Sequence, residues 1–250
     1  MNEELIGLIP AAGKGVRLGL PYPKELYPVI RENRYKPISQ FVVTNMTVAG
    51  IQHIVFVINQ NKHQLIGFFG DGHRFGCNLS YVVQEQRLQE GKSTSPGLAN
   101  ALDSAYHLII GKTVCFGMAD TIMQPENIFS TGLNAASPED DVIFLLFTTE
   151  RPEKFGMVQV DENQIVKQII DKPKQTDLTK MWGAIIWRPR FTEFLHESVT
   201  KEDISDFALI MNNAIEAGFQ FRGVHIKEGV YIDLGTYEEI AELDRRFREE

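Results

Sequence analysis

Short apolar runs alternate with longer stretches of helical periodicity along the first 150 residues of the chain. The apolar runs are nearly continuous and rich in β-branched residues, which is typical of strands buried on both faces of a sheet. The pattern predicts five strands, at Leu5–Pro10, His53–Ile58, Leu79–Gln84, Thr113–Met118 and Asp141–Thr148. It predicts three helices between them, at Ile38–Ala49, Lys62–Phe69 and Gly97–Ile109. Strands that alternate with helices form βαβ units, so we expect an α/β fold with a mostly parallel central sheet.

The rhythm changes after residue 150, where Asp-Glu-Asn forms a hairpin-like turn between two short apolar runs. Thr236 and Glu239 have the spacing of a capping box and predict the start of the last helix. We find no repeat or linker, and we expect a single domain over residues 1–250 with halves at about 1–150 and 151–250. The other elements expected here are the strands Met157–Val160, Gln164–Ile170, Met181–Trp187, Phe219–His225 and Val230–Asp233, and the helices Phe191–Glu197 and Ile204–Ala217.

Composition narrows the class of protein. Of the 250 residues, 43% are hydrophobic, which is enough for a sizeable core. The formal net charge of −8 argues against a nucleic-acid-binding surface but not against a local basic pocket. Cys77 and Cys115 lie far apart, so neither a disulfide framework nor a zinc site is expected. Since no signal-peptide pattern or membrane-spanning apolar run is present, we expect a cytoplasmic protein that binds neither nucleic acid nor membrane.

A glycine-rich loop follows the first strand, and its spacing argues against two familiar nucleotide motifs. Gly13 and Gly15 fit the dinucleotide pattern G-x-G-x-x-G, but Leu18 occupies the third position and Gly19 comes one residue late. The next strand ends in "INQN", where that pattern would need a ribose-binding carboxylate. The Gly-Lys-Ser sequence at 91–93 lacks the first glycine of the ATPase phosphate loop.

The remaining interpretation is a loop that wraps a nucleoside triphosphate. Four of its residues have little or no side chain, which lets backbone N–H groups approach a phosphate or a base: Ala11, Ala12, Gly13 and Gly15. Arg17 can fork onto phosphate oxygens, and Lys24 can supply a point charge. The loop by itself is equally compatible with a glycine-rich turn whose Arg and Lys are solvated.

The segment "LIPAAGKGVRLGLPYPKELYPV" resembles the signature G-x-G-x-R-(x)n-P-K of sugar-1-phosphate nucleotidyltransferases. "IPAAG" and "PKELYP" are most similar to uridylyltransferases acting on glucose 1-phosphate, whereas "GDGHRFGCNLSYVVQE" is closer to thymidylyltransferases. The resemblance extends in order to about Glu242. It implies a Rossmann-like mixed, mostly parallel sheet flanked by helices, as in nucleotide-diphospho-sugar transferases. It also implies an enzyme that joins an NTP, with dTTP or UTP favoured, to a sugar 1-phosphate with Mg2+, giving an NDP-sugar and pyrophosphate.

Two aspartates stand where the resembled family holds magnesium. Asp120 ends the strand "TVCFGMAD", at the carboxyl edge where ligands bind in such sheets, and Asp233 lies in "YIDLGT". In isolation either residue could serve a turn or a helix start. In the resembled family these positions are G-D and W-x-D-x-G-T; here Ala119 and Tyr231 replace the glycine and the tryptophan. The resemblance implies a catalytic set of Arg17 on the leaving pyrophosphate, Lys24 on the α-phosphate, and Asp120 and Asp233 on the metal.

The nucleotide half, about 1–150, is expected to bind the base through Gln84 and Gly97, because "VVQ" and "SPGLANAL" are similar to the family's base-reading elements. Glutamine offers both a donor and an acceptor to a pyrimidine edge. The intervening stretch Glu85–Ser95 is longer than expected for thymidylyltransferases, which leaves dTTP, UTP and CTP open.

The second half, about 151–250, is expected to bind the sugar phosphate. "EKFGMV", "IIDKPK" and "MWGAII" resemble the family's three sugar-site elements, and they contribute Gly156, Asp171, Lys172, Trp182 and Gly183. The resemblance implies that Asp171 accepts hydrogen bonds from sugar hydroxyls and that Lys172 binds the sugar phosphate. Trp182 replaces a small polar residue and could narrow the pocket.

Two other functions stay open, and a homo-oligomer is possible. One is a cytidylyltransferase for a non-sugar phosphate, such as a phosphorylated alcohol or amine, because an aromatic wall at Trp182 suits a compact or cationic group. The other is a non-catalytic nucleotide-sugar sensor on the same fold.

Overall fold

The computed structural model describes residues 4–15, 18–31, 34–85, 87–89, 92–94 and 97–248. Its elements, in chain order, are β1 Leu5–Ala11, β2 Pro28–Arg31, β3 Arg34–Pro37, α1 Ile38–Val48, β4 His53–Ile58, α2 His63–Phe69, β5 Asn78–Val83, β6 Arg87–Gln89, β7 Lys92–Thr94, α3 Leu98–Asp103, α4 Tyr106–Ile109, β8 Thr113–Gly117, β9 Thr121–Gln124, α5 Ile128–Ala135, β10 Val142–Thr148, β11 Gly156–Val160, β12 Val166–Asp171, β13 Lys180–Trp187, α6 Pro189–Thr200, α7 Phe207–Glu216, β14 Phe221–His225, β15 Val230–Asp233 and α8 Tyr237–Arg248.

A nine-stranded sheet forms the centre of the molecule. Strands β8, β1, β4 and β5 are parallel neighbours in that order. Strand β13 pairs antiparallel with β8 and continues the sheet into the second half, where it also pairs with β10 and β11. The outer strands are β12 beside β11 and β14 beside β10. The prediction of an α/β fold with a mixed, mostly parallel sheet is confirmed.

Side chains alternate between the two faces of the sheet, and each face has its own apolar core. Val55 and Val57 of β4 pack with helices α3, α4, α6 and α7, whereas Ile54, Phe56 and Ile58 pack with α1, α2 and α5. Burial on both faces explains why the central strands read as continuous apolar runs instead of alternating ones.

A two-stranded ribbon of β9 and β15 stands beside the main sheet. Buried apolar side chains beneath it join the glycine-rich loop, α1 and α8 to the ribbon: Leu18, Val29, Ile38, Phe41, Ile122, Leu234, Ile240 and Leu243. This third cluster ties the last helix to the loop after β1.

The sequence pattern located the central elements well and the small ones poorly. The strands His53–Ile58 and Val230–Asp233 are confirmed at both ends. The helix predicted at Gly97–Ile109 is divided into α3 and α4. The hairpins β2–β3 and β6–β7, strand β9 and helix α5 were not predicted. Within the described residues, no helix has the length and apolarity needed to cross a membrane.

Candidate active site

A cavity of about 660 Å³ opens beside the carboxyl ends of the central strands, and both halves of the chain line it. Lys24 and Asp120 contribute from the first half, and Asp171, Lys172 and Asp233 from the second. In open α/β sheets, ligands bind at this edge. The structure thus brings most of the predicted catalytic and acceptor-binding residues into one cavity.

Lys24 and Asp120 are in direct contact. A 3₁₀ turn at Lys24–Leu26 carries the lysine, whose Nζ donates a hydrogen bond to Asp120 Oδ2. The two side chains are only 15% and 12% exposed. Burial by itself would lower the pKa of Lys24, but the charge and hydrogen bond of Asp120, with further help from Glu25 and Asp233, raise it instead. The lysine is therefore a fixed positive charge in the cavity.

The β9–β15 ribbon brings the two aspartates to the same end of the site. Asp233 pairs in register with Thr121, and the N–H of Leu234 donates to the carbonyl of Asp120 at 3.0 Å. Tyr231 lies two residues before Asp233 on β15, and its pKa is raised well above its usual range, first by burial and then by the charges of Asp233 and Asp120. The phenol is therefore neutral, and the negative charge here belongs to the carboxylates.

The glycine-rich loop begins where β1 ends. Ala11 is the last residue of β1 and pairs with Ile58, and Ala12 is also buried. Gly13 borders open space within the described part of the chain, where no atom beyond its two neighbours lies within 4 Å of the place a Cβ would occupy. Gly15 has a φ of +63°, a conformation that favours glycine. Arg17 lies outside the described residues, so its assignment stays a prediction.

A second cavity of about 660 Å³ lies between this loop and the start of α2. Its basic residues are Lys14, Lys24, Lys62 and His63. Lys24 lines both cavities and stands between them. On the α2 side the cavity is also lined by the polar residues Asn59, Asn61 and Gln64.

The two predicted base-binding residues, Gln84 and Gly97, are not among the residues that line the main cavity, and their assignment stays a prediction. Gln84 follows β5, its N–H donates to the carbonyl of Ile58 at 2.8 Å, and its side chain lines a separate cavity of about 450 Å³. Gly97 precedes α3, where a Cβ would lie 2.5 Å from the carbonyl oxygen of Ser205. Gly97 thus has a packing role, and the described residues do not place Gln84 or Gly97 in the cavity that holds Lys24.

The predicted acceptor residues surround the far side of the main cavity. Asp171 and Lys172 are half exposed, with Lys172 Nζ 3.8 Å from Asp171 Oδ2. A Cβ on Gly156 would lie 2.2 Å from Nε1 of Trp182, so the indole fills the space that the glycine leaves. At Gly183 the corresponding space is taken by the rings of Phe147 and Tyr231.

Sequence reasoning missed several residues of this cavity. Phe207 contacts the predicted Trp182 edge to face at 82°, and Met118, Leu98 and Met211 complete an apolar wall. Lys154 Nζ donates to Glu239 Oε1 at 2.6 Å. Lys154 stands within the quoted "EKFG", but nothing in the sequence indicates that its partner lies on the last helix.

Glu239 has a structural task at the edge of the cavity. Its Oε2 accepts from the N–H groups of Gly235 at 2.8 Å and Thr236 at 2.9 Å, while its own N–H donates to Thr236 Oγ1 at 3.3 Å. The predicted capping box is therefore confirmed. Burial would raise the pKa of Glu239, but these hydrogen bonds and Lys154 lower it.

Comparisons with known proteins find relatives of this chain. The chain is 27% identical to a low-salt glycan biosynthesis nucleotidyltransferase of Haloferax volcanii, over 96% of this chain and 65% of that protein. It is also 27% identical to a glucose-1-phosphate thymidylyltransferase of Neisseria meningitidis, over 94% of this chain and 80% of that one. It thus spans just under two thirds of the length of the first relative.

Solved structures share the fold. A UDP-glucose pyrophosphorylase complexed with UDP-glucose superposes with a TM-score of 0.79 at 23% identity, covering 98% of both chains. A UTP-bound UGPase from Acinetobacter baumannii superposes with a TM-score of 0.75 at 16% identity, covering 97% of this chain and 92% of that one. The family model for nucleotidyl transferases matches residues 6–250. The resemblance of the sequence motifs is thereby confirmed, and the chain belongs to the nucleotidyl transferase family.

Proposed function

We propose that this protein transfers the nucleotidyl group of an NTP, with dTTP or UTP favoured, to a sugar 1-phosphate. The observation that carries the proposal is the meeting of Lys24, Asp120 and Asp233 in one cavity that Lys172 also lines. A site that must neutralise a triphosphate and a phosphate monoester needs such fixed cations and metal-binding carboxylates. The names of the relatives support the substrate class.

The reaction is a single in-line displacement. A phosphate oxygen of the acceptor forms a bond to the α-phosphorus, and the bond from that phosphorus to the bridging oxygen of the β-phosphate breaks. The electron pair leaves on pyrophosphate. Lys24 stabilises the charge of the α-phosphate, Lys172 orients the acceptor phosphate, and Arg17 stabilises the leaving group. No covalent enzyme intermediate is required, because positioning and charge neutralisation supply the catalysis.

The carboxylates fit a magnesium site. Asp120, directly before β9, and Asp233, at the end of β15, would supply oxygen ligands, and Asp120 already binds a cationic group, the Lys24 ammonium. Two carboxylates are enough for Mg2+, since it takes one or two together with substrate phosphates. When bound, the ion would neutralise phosphate charge.

The test is a matrix of dTTP, UTP, CTP, ATP and GTP against phosphorylated acceptors, read by pyrophosphate release with and without Mg2+. Turnover with dTTP or UTP and a hexose 1-phosphate is expected. Release that occurs without any acceptor, or equal release with and without magnesium, would contradict the proposal. Binding of an NDP-sugar without turnover for any pair would favour the sensor instead.

A second candidate is a cytidylyltransferase for a phosphorylated amine or alcohol. The observation that favours it is the aromatic wall of Trp182 and Phe207 beside Asp206, a carboxylate on the rim of the same cavity. Preference for CTP with phosphocholine or phosphoethanolamine over every hexose 1-phosphate would select this candidate. The single domain over residues 1–250, the cytoplasmic location and the possible homo-oligomer remain predictions.

A further inference from the structure

The four residues that directly follow β4, Asn59–Lys62, hold the glycine-rich loop at both of its ends. We name them the anchor segment. Its sequence is "NQNK", which lacks the carboxylate that the dinucleotide pattern would need here. Asn59 contacts the start of the loop at Ala12 and Gly13, and Lys62 contacts its end at Glu25. Both anchoring side chains are buried, with Asn59 only 2% and Lys62 only 3% exposed.

Asn59 uses its whole amide group within the protein. Its Nδ2 donates to the carbonyl of Ala12 at 2.8 Å and to that of Gly13 at 3.3 Å, while its Oδ1 accepts from the N–H of Asn61 at 2.9 Å. Both amide hydrogens and the acceptor are thus engaged, so the side chain has one orientation. That orientation fixes where two consecutive loop carbonyls point.

The direction of the carbonyls sets the direction of the N–H groups. In a trans peptide the C=O of one residue and the N–H of the next point to opposite sides. With the carbonyl of Ala12 turned toward Asn59, the N–H of Gly13 is turned away from it. Among the described residues this N–H has no hydrogen-bond partner, and the space beside Gly13 is open. A backbone donor beside open space is what an anionic phosphate requires.

Lys62 acts on the other end of the loop. Its Nζ forms an ion pair with Glu25 Oε1, and the two side chains are 4% and 3% exposed. Ser39 Oγ donates to the backbone carbonyl of Glu25 at 2.6 Å, so this residue is held through both side chain and main chain. Because Glu25 directly follows Lys24, fixing it also fixes the backbone from which Lys24 reaches Asp120.

We propose that Asn59 and Lys62 are positioning residues for nucleotide binding, which orient the Gly13 N–H and the Lys24 ammonium together from one buried segment. The role rests on the proposed function, since it concerns the loop that would receive the triphosphate. Neither residue needs to touch a substrate. The two ends of the loop are then coupled, because a shift of the anchor segment displaces both donors at once.

The discriminating variant is Asn59→Asp, which has nearly the same shape. It keeps the side-chain oxygen that accepts a hydrogen bond from the N–H of Asn61 and loses both N–H donors. The matched control is Gln60→Ala, an exposed neighbour on the same segment. For Asn59→Asp we expect kcat/KM for the NTP to fall on the order of 10- to 100-fold, as for unsatisfied buried groups. KM for the acceptor substrate, the sugar 1-phosphate, is expected to stay within about twofold. General destabilisation would not produce this difference between the two substrates. Equal losses for both substrates, or none, would overturn the proposal.

Hydrogen exchange of the backbone amides gives a second readout that needs no catalysis. In Asn59→Asp and in Glu25→Leu/Lys62→Met, amides of residues 12–25 are expected to exchange on the order of 10-fold faster, with little change in β4 and β5. Unchanged exchange in the loop would overturn the proposal. If the unmodified protein turns over no substrate pair, the proposed function fails, and the loop exchange still decides whether the anchor exists. Should Asn59→Asp not fold, Glu25→Leu/Lys62→Met decides the question by the same measurement, since unchanged loop exchange in that variant would also overturn the proposal.

Discussion

Lys24 and Asp120, separated by 96 positions in the chain, form an ion pair inside the main cavity. The lysine belongs to the loop after β1 and the aspartate to the turn between β8 and β9, so the contact joins the segments that follow two neighbouring strands. The proposed chemistry gives each partner its own task, the ammonium on the α-phosphate and the carboxylate on the metal.

Replacing Asp120 separates these tasks. Asp120→Asn keeps the shape but removes the charge, and we expect kcat to fall about 10²- to 10³-fold, as when one charge-stabilising group is lost. Nucleotide binding, measured by calorimetry, should largely survive, because the loop is intact. The exposed Asp177→Asn is the matched control and should behave as the unmodified protein. Full activity in Asp120→Asn would contradict the metal assignment.

The buried pair of Glu25 and Lys62 predicts a double-mutant effect on stability. Burial raises the pKa of Glu25, even though Lys62 acts to lower it, and Glu25 Oε2 has no hydrogen-bond partner in the part of the chain that the structure describes. Lys62→Met leaves that carboxylate without its cation and should reduce the free energy of unfolding by about 3–5 kcal/mol. Glu25→Leu/Lys62→Met should recover most of the loss, since apolar replacement of both partners is often neutral. Urea unfolding measures both, and a double variant no more stable than Lys62→Met would contradict the explanation.

Acid should weaken the attachment of the last helix through Glu239. Because the pKa of this residue is lowered in the folded protein, its contribution to stability is present above its ordinary value of 4.5 and is lost as the pH falls through the folded-state pKa. The stability gap between the unmodified protein and Glu239→Gln is therefore expected to be largest above that value and to shrink in acid. Unfolding curves from pH 7 to pH 3 test this, with the exposed Glu238→Gln as control. A gap independent of pH would exclude the ionised carboxylate as its source.

Variants at Gly156 distinguish two explanations for the glycine at this position. If the glycine is needed because Trp182 fills its Cβ space, Gly156→Ala should reduce the free energy of unfolding by about 1–3 kcal/mol, as overpacking does. Gly156→Ala/Trp182→Ala should then regain stability relative to Trp182→Ala. If the acceptor approaches the backbone here, Gly156→Ala/Trp182→Ala would instead fold well and still show a raised KM for the acceptor. Thermal unfolding and acceptor titration of the same three proteins distinguish the two.

The sequence located the central strands because burial on both faces makes each of them a continuous apolar run. It did not locate β9, a four-residue strand whose pairing with β15 is a tertiary contact. Lys24, Asp120 and Asp233 were identified from motif resemblance, and the fold then brought them together. Asn59 and Lys62 were not identified, because nothing local in "NQNK" reveals contacts with residues 37 to 47 positions away. Gln84 and Gly97 were also identified from motif resemblance, but they do not line the cavity that holds Lys24.

The pairing of β9 with β15 has a consequence for biosynthesis. A growing chain carries the loop, Lys24 and Asp120 while most of the second half has still to be made, and Asp233 is added only after the last strand of the nine-stranded sheet. The carboxylate pair is therefore a late product of translation. A chain terminated between β14 and β15 could still pair all nine strands of the main sheet, yet it would lack the second carboxylate.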